Sequence, residues 1–279
     1  MAFIQLQIGF RSQARQMVLT KKELAQVHDA HSKRRIDTNR VIMSTQKGLF
    51  EELQVQLLDP SCNVDQLDEN GATAVHWAVS RGFSRILRLL LDRGASIDIR
   101  DKNGLTCLHW AARFFDYTGY PWGYDESKVF PLETVQILLN HRNIDIEVKD
   151  PCGRTALHLT MYGGSLTMAK VLLDAGADKE AICNYDWTPL FCAVQMTTAG
   201  TDHVKPYMLS DKQSSTNVEL VRLLLDQGAS LDAIDVQGNT PMEFVEKMVI
   251  HTTIQTSHER LKKLIMSLLV NRSCIPNAT

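Results

Sequence analysis

Gly153-Arg-Thr-Ala-Leu-His158 is one of five copies of a short phrase that recurs along this chain. The other copies begin at Gly71, Gly104, Asp186 and Gly238. Their threonines lie at positions 73, 106, 155, 188 and 240, so the intervals are 33, 49, 33 and 52 residues. Two intervals match the period of about 33 residues that is typical of one class of stacked helix pairs. The phrase therefore predicts a repeat array interrupted by two insertions.

The residues of the first copy predict a turn and two helices. Asp68-Glu-Asn-Gly71 is typical of a tight turn, because glycine adopts positive φ without strain. Thr73 is expected to cap a short helix that follows the turn. A second helix is expected from about Ser84 to Arg93, where leucines cluster before Gly94. Such a pair cannot bury its apolar face alone, so neighbouring pairs must stack.

A second phrase strengthens the repeat interpretation. Leu89-Leu-Leu-Asp-Arg-Gly94 has counterparts at Val171–Gly176 and Leu223–Gly228. Together the two phrases resemble the ankyrin repeat, and the resemblance covers most of the chain. It implies an all-α fold, an ankyrin-repeat solenoid of about six helix-turn-helix units with divergent N- and C-terminal caps, short hairpin turns and two inter-helix insertions. It also implies a binding surface rather than a catalytic site.

The repeat phrases divide the chain into three parts. Residues 1–37 form a basic N-terminal extension, in which Thr20 and Glu23 predict the start of a helix that runs to about Arg35. The ankyrin repeat domain is expected at 38–272, and residues 273–279 form a tail. Within the domain we expect a cap at 38–67 and repeats at 68–100, 101–149, 150–182, 183–234 and 235–271.

The two long intervals indicate insertions between the helices of the second and fourth repeats. One lies near residues 114–131 and the other near 196–216, so both emerge from the same edge of the stack. The first is rich in aromatic residues, which anchor many binding surfaces. Two interpretations of it stay open: a binding loop, or a lid that folds back over its own repeats. The second insertion is polar.

Three histidines occupy one repeat position, at His76, His109 and His158. Successive members should lie about 8–10 Å apart, which is too far for shared ligation of one metal ion. We therefore expect no metal and no cofactor. The ankyrin resemblance implies that each histidine hydrogen-bonds to backbone of the next repeat. Phe191 and Glu243 replace the histidine in the last two copies, which should weaken that bond there.

Tryptophans and aspartates also recur in register. Trp77 and Trp110 share a position that is taken by smaller or different side chains in later units, and such a stripe is typical of packing. For these two tryptophans, contact with a ligand is the alternative interpretation. Asp68 and its equivalents begin the turns, where an aspartate bonds to its own backbone.

Composition narrows the class of protein further. The net charge of −2 favours neither direct contact with nucleic acid nor membrane binding by the chain as a whole. No apolar run approaches the length of a membrane span. The six cysteines show no Cys-x-x-Cys pairing, which indicates reduced thiols in a cytoplasmic or nuclear protein. We expect a monomer whose partner is another protein.

The ankyrin resemblance implies binding through turn tips and inner helices, and the aromatic insertion adds further candidates. The residues at these places are amphipathic without a dominant charge, which suits a protein or peptide partner. The partner-binding candidates are Glu69, Asn70, Arg81, Lys102, Asn103, Arg113, Phe115, Tyr120, Trp122, Arg154, Tyr162, Tyr185 and Trp187.

The function expected from these patterns is a non-catalytic protein–protein interaction module, an adaptor or transcriptional co-regulator. One alternative is a nuclear, DNA-associated regulator acting through the basic N-terminus, because Lys33–Arg40 distantly resembles the basic region of fungal leucine-zipper factors. No leucine heptad follows it. A second alternative, an enzyme, lacks support, because the histidines outside the repeats have no assembled catalytic partner and the common catalytic motifs are absent.

Overall fold

The computed structural model describes residues 40–113, 132–195, 211–247 and 263–270, and regular secondary structure within these ranges is helical throughout. The expected all-α fold is therefore confirmed. In chain order the helices are α1 (Arg40–Lys47), α2 (Phe50–Gln56), α3 (Ala74–Ser80), α4 (Ser84–Asp92), α5 (Cys107–Arg113), α6 (Leu132–Leu139), α7 (Ala156–Gly163), α8 (Leu166–Asp174), α9 (Pro189–Gln195), α10 (Asp211–Asp226), α11 (Pro241–Lys247) and α12 (263–270).

The helices stack as antiparallel pairs in two rows. The first helices of successive pairs, α1, α3, α5, α7, α9 and α11, each contact the next in that order. The second helices form a parallel row, in which α2 contacts α4, α4 contacts α6 and α8 contacts α10. A row of short first helices backed by leucine-rich second helices is the stacking that the repeat phrases predicted.

The hydrophobic core is a continuous layer between the two rows. Four of the second helices contribute a fully buried leucine at an equivalent position: Leu90 in α4, Leu138 in α6, Leu172 in α8 and Leu224 in α10. Small residues of the first helices, such as Ala78 and Ala111, pack against this layer. Because each layer of leucines is shared by neighbouring units, no unit has a complete core of its own.

A row of carboxylates joins successive units outside the leucine core. Asp65 Oδ1 accepts a hydrogen bond from the backbone N–H of Ser96 at 2.8 Å, and Glu147 Oε1 accepts one from Asp178 at 2.8 Å. Glu180 repeats the contact with Ser230. Burial raises the pKa of Glu147 above its ordinary value. These bonds join the extended segment that follows one helix pair, here called the arm, to the end of the second helix in the next pair.

The structure corrects one boundary expected from sequence. Helix α10 begins at Asp211, so residues 211–216, which were assigned to the second insertion, belong to the second helix of the fourth repeat. The rest of that insertion, the aromatic insertion at 114–131 and the extension at 1–37 lie outside the described residues. The two interpretations of the aromatic insertion and the role of the extension therefore stay predictions.

Truncation of the shared leucines tests the helix register. We expect Leu90→Ala and Leu172→Ala each to lower the free energy of unfolding by about 2–5 kcal/mol, because both side chains are fully buried between helix rows. Urea unfolding followed by circular dichroism measures the loss. Leu58→Ala is the control, since Leu58 is exposed, and it should cost less than about 0.5 kcal/mol. Equal losses at all three positions would contradict the assigned register.

Candidate functional site

Carboxylates organise the turns between successive helix pairs. Asp101 Oδ1 accepts hydrogen bonds from the backbone N–H groups of Asn103 and Leu105, at 2.8 and 2.9 Å. Asp68, Asp150 and Asp235 make the same two bonds in their own turns. The expectation that turn aspartates bond to their own backbone is thus correct. These carboxylates hold four of the turns in one shape, whereas the turn at 183–186 begins with Cys183 and lacks the carboxylate.

Adjacent turns touch and form one continuous surface, here called the hairpin strip (residues 68–71, 101–104, 150–153, 183–186 and 235–238). The N–H of Lys102 donates to Asn70 O at 2.8 Å, and that of Asn184 donates to Cys152 O at 3.0 Å. Between the second and third turns Pro151 has no N–H to donate, and its ring lies against Gly104, where a Cβ atom would be 2.5 Å from Pro151 Cγ. Gly71 has φ +74°, and a Cβ atom there would lie 2.9 Å from Lys102 N. Glycine is required at this turn both for its conformation and for the close approach.

The tryptophans do more than pack. Trp110 Nε1 donates to Asp101 Oδ2 at 2.9 Å, and Trp77 Nε1 donates to Asp68 Oδ2 at 2.8 Å. Each indole thereby ties the first helix of a unit to its own turn. The constant spacing of nine residues between aspartate and tryptophan is a signal that could have predicted this contact, whereas the stripe of tryptophans indicated packing. In the third unit an arginine makes the corresponding contact: Arg154 Nε donates to Asp150 Oδ2 at 2.8 Å.

The three histidines connect each first helix to the next turn, as expected. Nδ1 of His158 accepts from the backbone N–H of Thr155 at 3.2 Å, and the two residues form a reciprocal capping box. Because Nδ1 accepts, the neutral ring carries its proton on Nε2, which donates to Trp187 O at 3.0 Å. His76 and His109 repeat both contacts, reaching Leu105 O and Arg154 O.

The histidine ladder depends on the neutral form of the ring. Burial lowers the pKa of His76, His109 and His158 below the ordinary value of 6.5. A second proton on Nδ1 would remove the acceptor that closes the helix start. The ladder is therefore a fixed, uncharged support beneath the hairpin strip.

The fourth unit replaces polar contacts with aromatic packing. Phe191 stands at the histidine position and is fully buried, with its ring centroid 5.8 Å from that of Phe244 and 6.4 Å from that of Trp187. The hydroxyl of Thr188, which the histidine would have contacted, is buried and without a hydrogen-bond partner in the described residues. The hydrogen bond to the next unit is lost here, and three packed rings take its place.

The fourth and fifth units differ from the rest in two further ways. Asp186 stands where other turns have glycine and adopts φ 55°, a left-handed conformation that aspartate tolerates better than most residues. In the fifth unit Glu243 keeps the cap of its own helix, because Oε2 accepts from the Thr240 N–H at 2.8 Å. Replacement of histidine thus removes the bond between units but leaves the local cap of the fifth unit in place.

The structure brings most of the candidate binding residues to one side of the array. Glu69, Asn70, Lys102, Asn103 and Tyr185 are exposed on the hairpin strip. The ends of the first helices present the exposed side chains of Arg81 and Arg113 and the half-buried one of Tyr162. Arg154 is half-buried in its contact with Asp150, and Trp187 is half-buried in the aromatic cluster. Phe115, Tyr120 and Trp122 lie outside the described residues.

Three exposed apolar residues on this side were missed. Leu67 is 52% exposed, Ile182 is 50% exposed and Ile234 is 58% exposed, and each lies directly before its turn. Isoleucine at this position looked like part of the extended arm, which is often half-buried. The signal that could have found them is the alternation of buried and exposed positions along the arm, as in Ile97 and Asp98 of the first unit.

Within the described ranges, no helix is both long and apolar enough to traverse a bilayer. No group of three or more histidine, cysteine or acidic side chains in these ranges could hold a metal ion. What the described surface offers is a row of exposed polar and apolar side chains on a rigid backbone.

Comparison with known families identifies the repeat. The family model for ankyrin repeats in three copies matches residues 42–120 and 128–213, which is more than half of the chain, and a single-repeat model matches residues 103–151. Two solved structures share the fold: EF0377, an ankyrin repeat protein, and an ankyrin repeat domain from Acinetobacter baumannii AYE. Each has a TM-score of 0.62 at 20% identity, covering 84% of this chain and 97% or 98% of the other.

Two characterised relatives match over part of their length. A transient receptor potential cation channel subfamily A member 1 homolog from Caenorhabditis elegans is 33% identical over 109 residues, or 34% of this chain. Protein phosphatase 1 regulatory subunit 27 from Mus musculus is 26% identical over 115 residues, or 41% of this chain. The matches span 9% of the channel and 62% of the regulatory subunit. The similarity therefore concerns the repeats.

Matched threonine substitutions test the missing cap in the fourth unit. We expect Thr155→Val to lower the free energy of unfolding by about 1–2 kcal/mol, since it removes the hydroxyl of a capping box. Thr188→Val should leave stability unchanged or raise it by up to about 1 kcal/mol, because that hydroxyl is buried and unpaired. Urea unfolding measures both. The two sites are equally buried, so each controls for the other, and a greater loss at Thr188 would disprove the assignment.

Acidification should weaken the histidine ladder. Since the folded pKa of these rings lies below the unfolded value of 6.5, the stability they contribute is complete above that value and falls as the pH is lowered through it. We expect a lower urea midpoint at about pH 5.5 than at about pH 7.5. His109→Gln should be less stable at the higher pH but lose less on acidification. An unchanged loss in the variant would show that other groups cause the pH dependence.

Proposed function

The chain belongs to the ankyrin repeat family, and we propose that it is a non-catalytic adaptor or transcriptional co-regulator that holds a protein partner on its concave face. The concave face comprises the hairpin strip and the exposed ends of α3, α5 and α7. Ankyrin repeats form protein-interaction modules, and stacked helix pairs use extended surfaces of this kind to bind. The adaptor or co-regulator role goes beyond what the family alone implies.

The observation that carries the proposal is the continuity of the hairpin strip. Its turns are joined by backbone hydrogen bonds, such as Lys102 N to Asn70 O, except at Pro151, where Arg100 bridges to Lys149 O, and the side chains of Glu69, Lys102 and Tyr185 stay exposed. Ordering a flexible loop opposes binding, so a surface that is already rigid binds at lower entropic cost. The exposed groups include both charges and apolar area, which suits a protein surface better than a small metabolite.

Two further observations support a regulatory role inside the cell. One relative is a regulatory subunit of protein phosphatase 1, and its similarity to this chain lies in the repeats. Cys62, Cys107, Cys152, Cys183 and Cys192, all in the described ranges, are free thiols, which suits a reducing compartment. We propose that the protein acts in the cytoplasm or the nucleus, as a monomer on one protein partner.

Affinity capture with matched surface variants tests the proposal. The intact chain should retain specific proteins from a lysate of its source cells. Lys102→Glu with Tyr185→Ala, on the hairpin strip, should lower their recovery by about tenfold or more. Lys170→Glu with Thr167→Ala is the control, because both residues are exposed on α8 in the opposite row of helices.

The variants also show which surface of the protein binds the captured proteins. Loss of the captured proteins with the α8 control, or no loss with the strip variant, would place binding elsewhere and contradict the proposal. A third variant, in which residues 114–131 are replaced by a short Gly-Ser turn, decides between the two interpretations of the aromatic insertion. Loss of the same proteins identifies a binding loop, and retention identifies a lid over its own repeats.

A further inference from the structure

The concave face changes in character along its length. Over the first two units its exposed charges are mainly positive: Arg81, Lys102 and Arg113 are exposed, against one exposed acid, Glu69. The turn aspartates Asp101 and Asp150 add little to this face, because both are buried and bonded to backbone. The whole chain carries a net charge of −2, so this positive section is a local feature of the face.

The positive section continues along the edge of the hairpin strip. The position before each turn is occupied by Leu67, Arg100, Lys149, Ile182 and Ile234 in successive units. Arg100 Nη1 donates to Lys149 O at 2.8 Å, and Lys149 Nζ donates to Ile182 O at 2.9 Å. Both side chains thus lie across the gap to the next unit and are held there, with their charges exposed.

Beyond Lys149 the exposed side chains of the strip become mainly apolar. Ile182 and Ile234 follow the two cations at the edge position, and the turn tips carry Tyr185 and Val236. All four side chains are 50–59% exposed. The N–H of Val236 donates to Tyr185 O at 3.3 Å, so the two tips are in contact. These four residues are called the apolar end of the strip.

We infer that the partner presents an extended segment with acidic side chains at one end and apolar or aromatic side chains at the other. The acidic part lies over the cations of the first and second units, and the apolar part covers the apolar end. This inference rests on the proposed function and specifies its partner. Nucleic acid would use the cations, but four exposed apolar side chains beside them favour a protein segment.

Charge also sets the direction of the segment. Asp186 is exposed on the hairpin strip next to Tyr185. A carboxylate at the apolar end would repel the acidic part of the segment, whereas Lys102 and Lys149 attract it. Burial of aromatic or branched apolar side chains then supplies the part of the binding energy that salt does not screen.

The repeat geometry sets the spacing within the segment. Lys102 and Tyr185 lie on the turns of the second and fourth units, which are two helix spacings apart, or roughly 20 Å. An extended chain advances about 3.3 Å per residue, so roughly six residues separate the acidic and apolar groups. A partner in which the two groups are adjacent could occupy only one section of the strip.

Selection from a displayed library of random peptides tests the inference with the intact chain. Peptides of about 16 residues are long enough to span the required distance. We expect the selected sequences to contain Asp or Glu about six residues from a pair of apolar or aromatic residues. Arg81→Glu with Lys102→Glu should remove the enrichment in acids, and Ile234→Ser with Val236→Ser should remove the enrichment in apolar residues. Lys170→Glu, on α8, is the control and should select the same sequences as the native chain.

Affinities of one selected peptide then check the two sections separately. Each double variant should weaken its binding by about tenfold or more, and added salt should weaken the native interaction and the serine variant but have less effect on the glutamate variant. Selection of basic or uncharged peptides, or of the same sequences by all variants, would overturn the inference and leave protein binding intact. Absence of any selected peptide overturns recognition of an extended segment, and the capture experiment above then decides protein binding independently. Stronger binding of single-stranded DNA than of any peptide, abolished by the glutamate substitutions, would assign the cations to nucleic acid and also overturn the inference.

Discussion

One side chain, the histidine of the repeat phrase, holds both the local and the long-range structure. Its Nδ1 accepts from the N–H of the threonine that starts its own helix, and its Nε2 donates to a carbonyl in the next turn. Since one neutral ring makes both contacts, the start of a helix and the position of the neighbouring turn are fixed together. The hairpin strip depends on this coupling, because its turns must be in register to form one surface.

The array shows what happens where that coupling is missing. Phe191 cannot bond to the next turn, and the buried hydroxyl of Thr188 is left unpaired. Packing of Phe191 with Trp187 and Phe244 compensates with buried aromatic area. The same units carry Asp186 in place of glycine and the exposed apolar side chains of the strip. The fourth and fifth units thus depart from the repeat pattern both in their contacts with neighbouring units and in their exposed side chains.

Substitutions at the turn tips are tolerated because different residues of a unit form the core, the turn and the surface. Leucines of the second helices form the core, turn carboxylates shape the backbone, and the tips are left free to vary. Replacement of Lys102 by its counterparts Asn184 or Val236 alters the surface without touching the core. A binding surface can therefore be specified at the tips while the stack beneath stays the same.

The repeat sequence by itself determined the helix pairs, the turns and the threonine caps, because each depends on residues close in the chain or on a fixed repeat spacing. The bond from each histidine to the next repeat was implied by the resemblance to ankyrin repeats. The structure alone decided the bonds from Trp77 and Trp110 to turn carboxylates, the row of acids from Asp65 to Glu180, and the start of α10 at Asp211. It also decided that Ile182 and Ile234 are exposed. Whether a side chain packs, bonds across units or faces solvent depends on which residues of the neighbouring unit lie beside it. The periodicity within one unit does not contain that information.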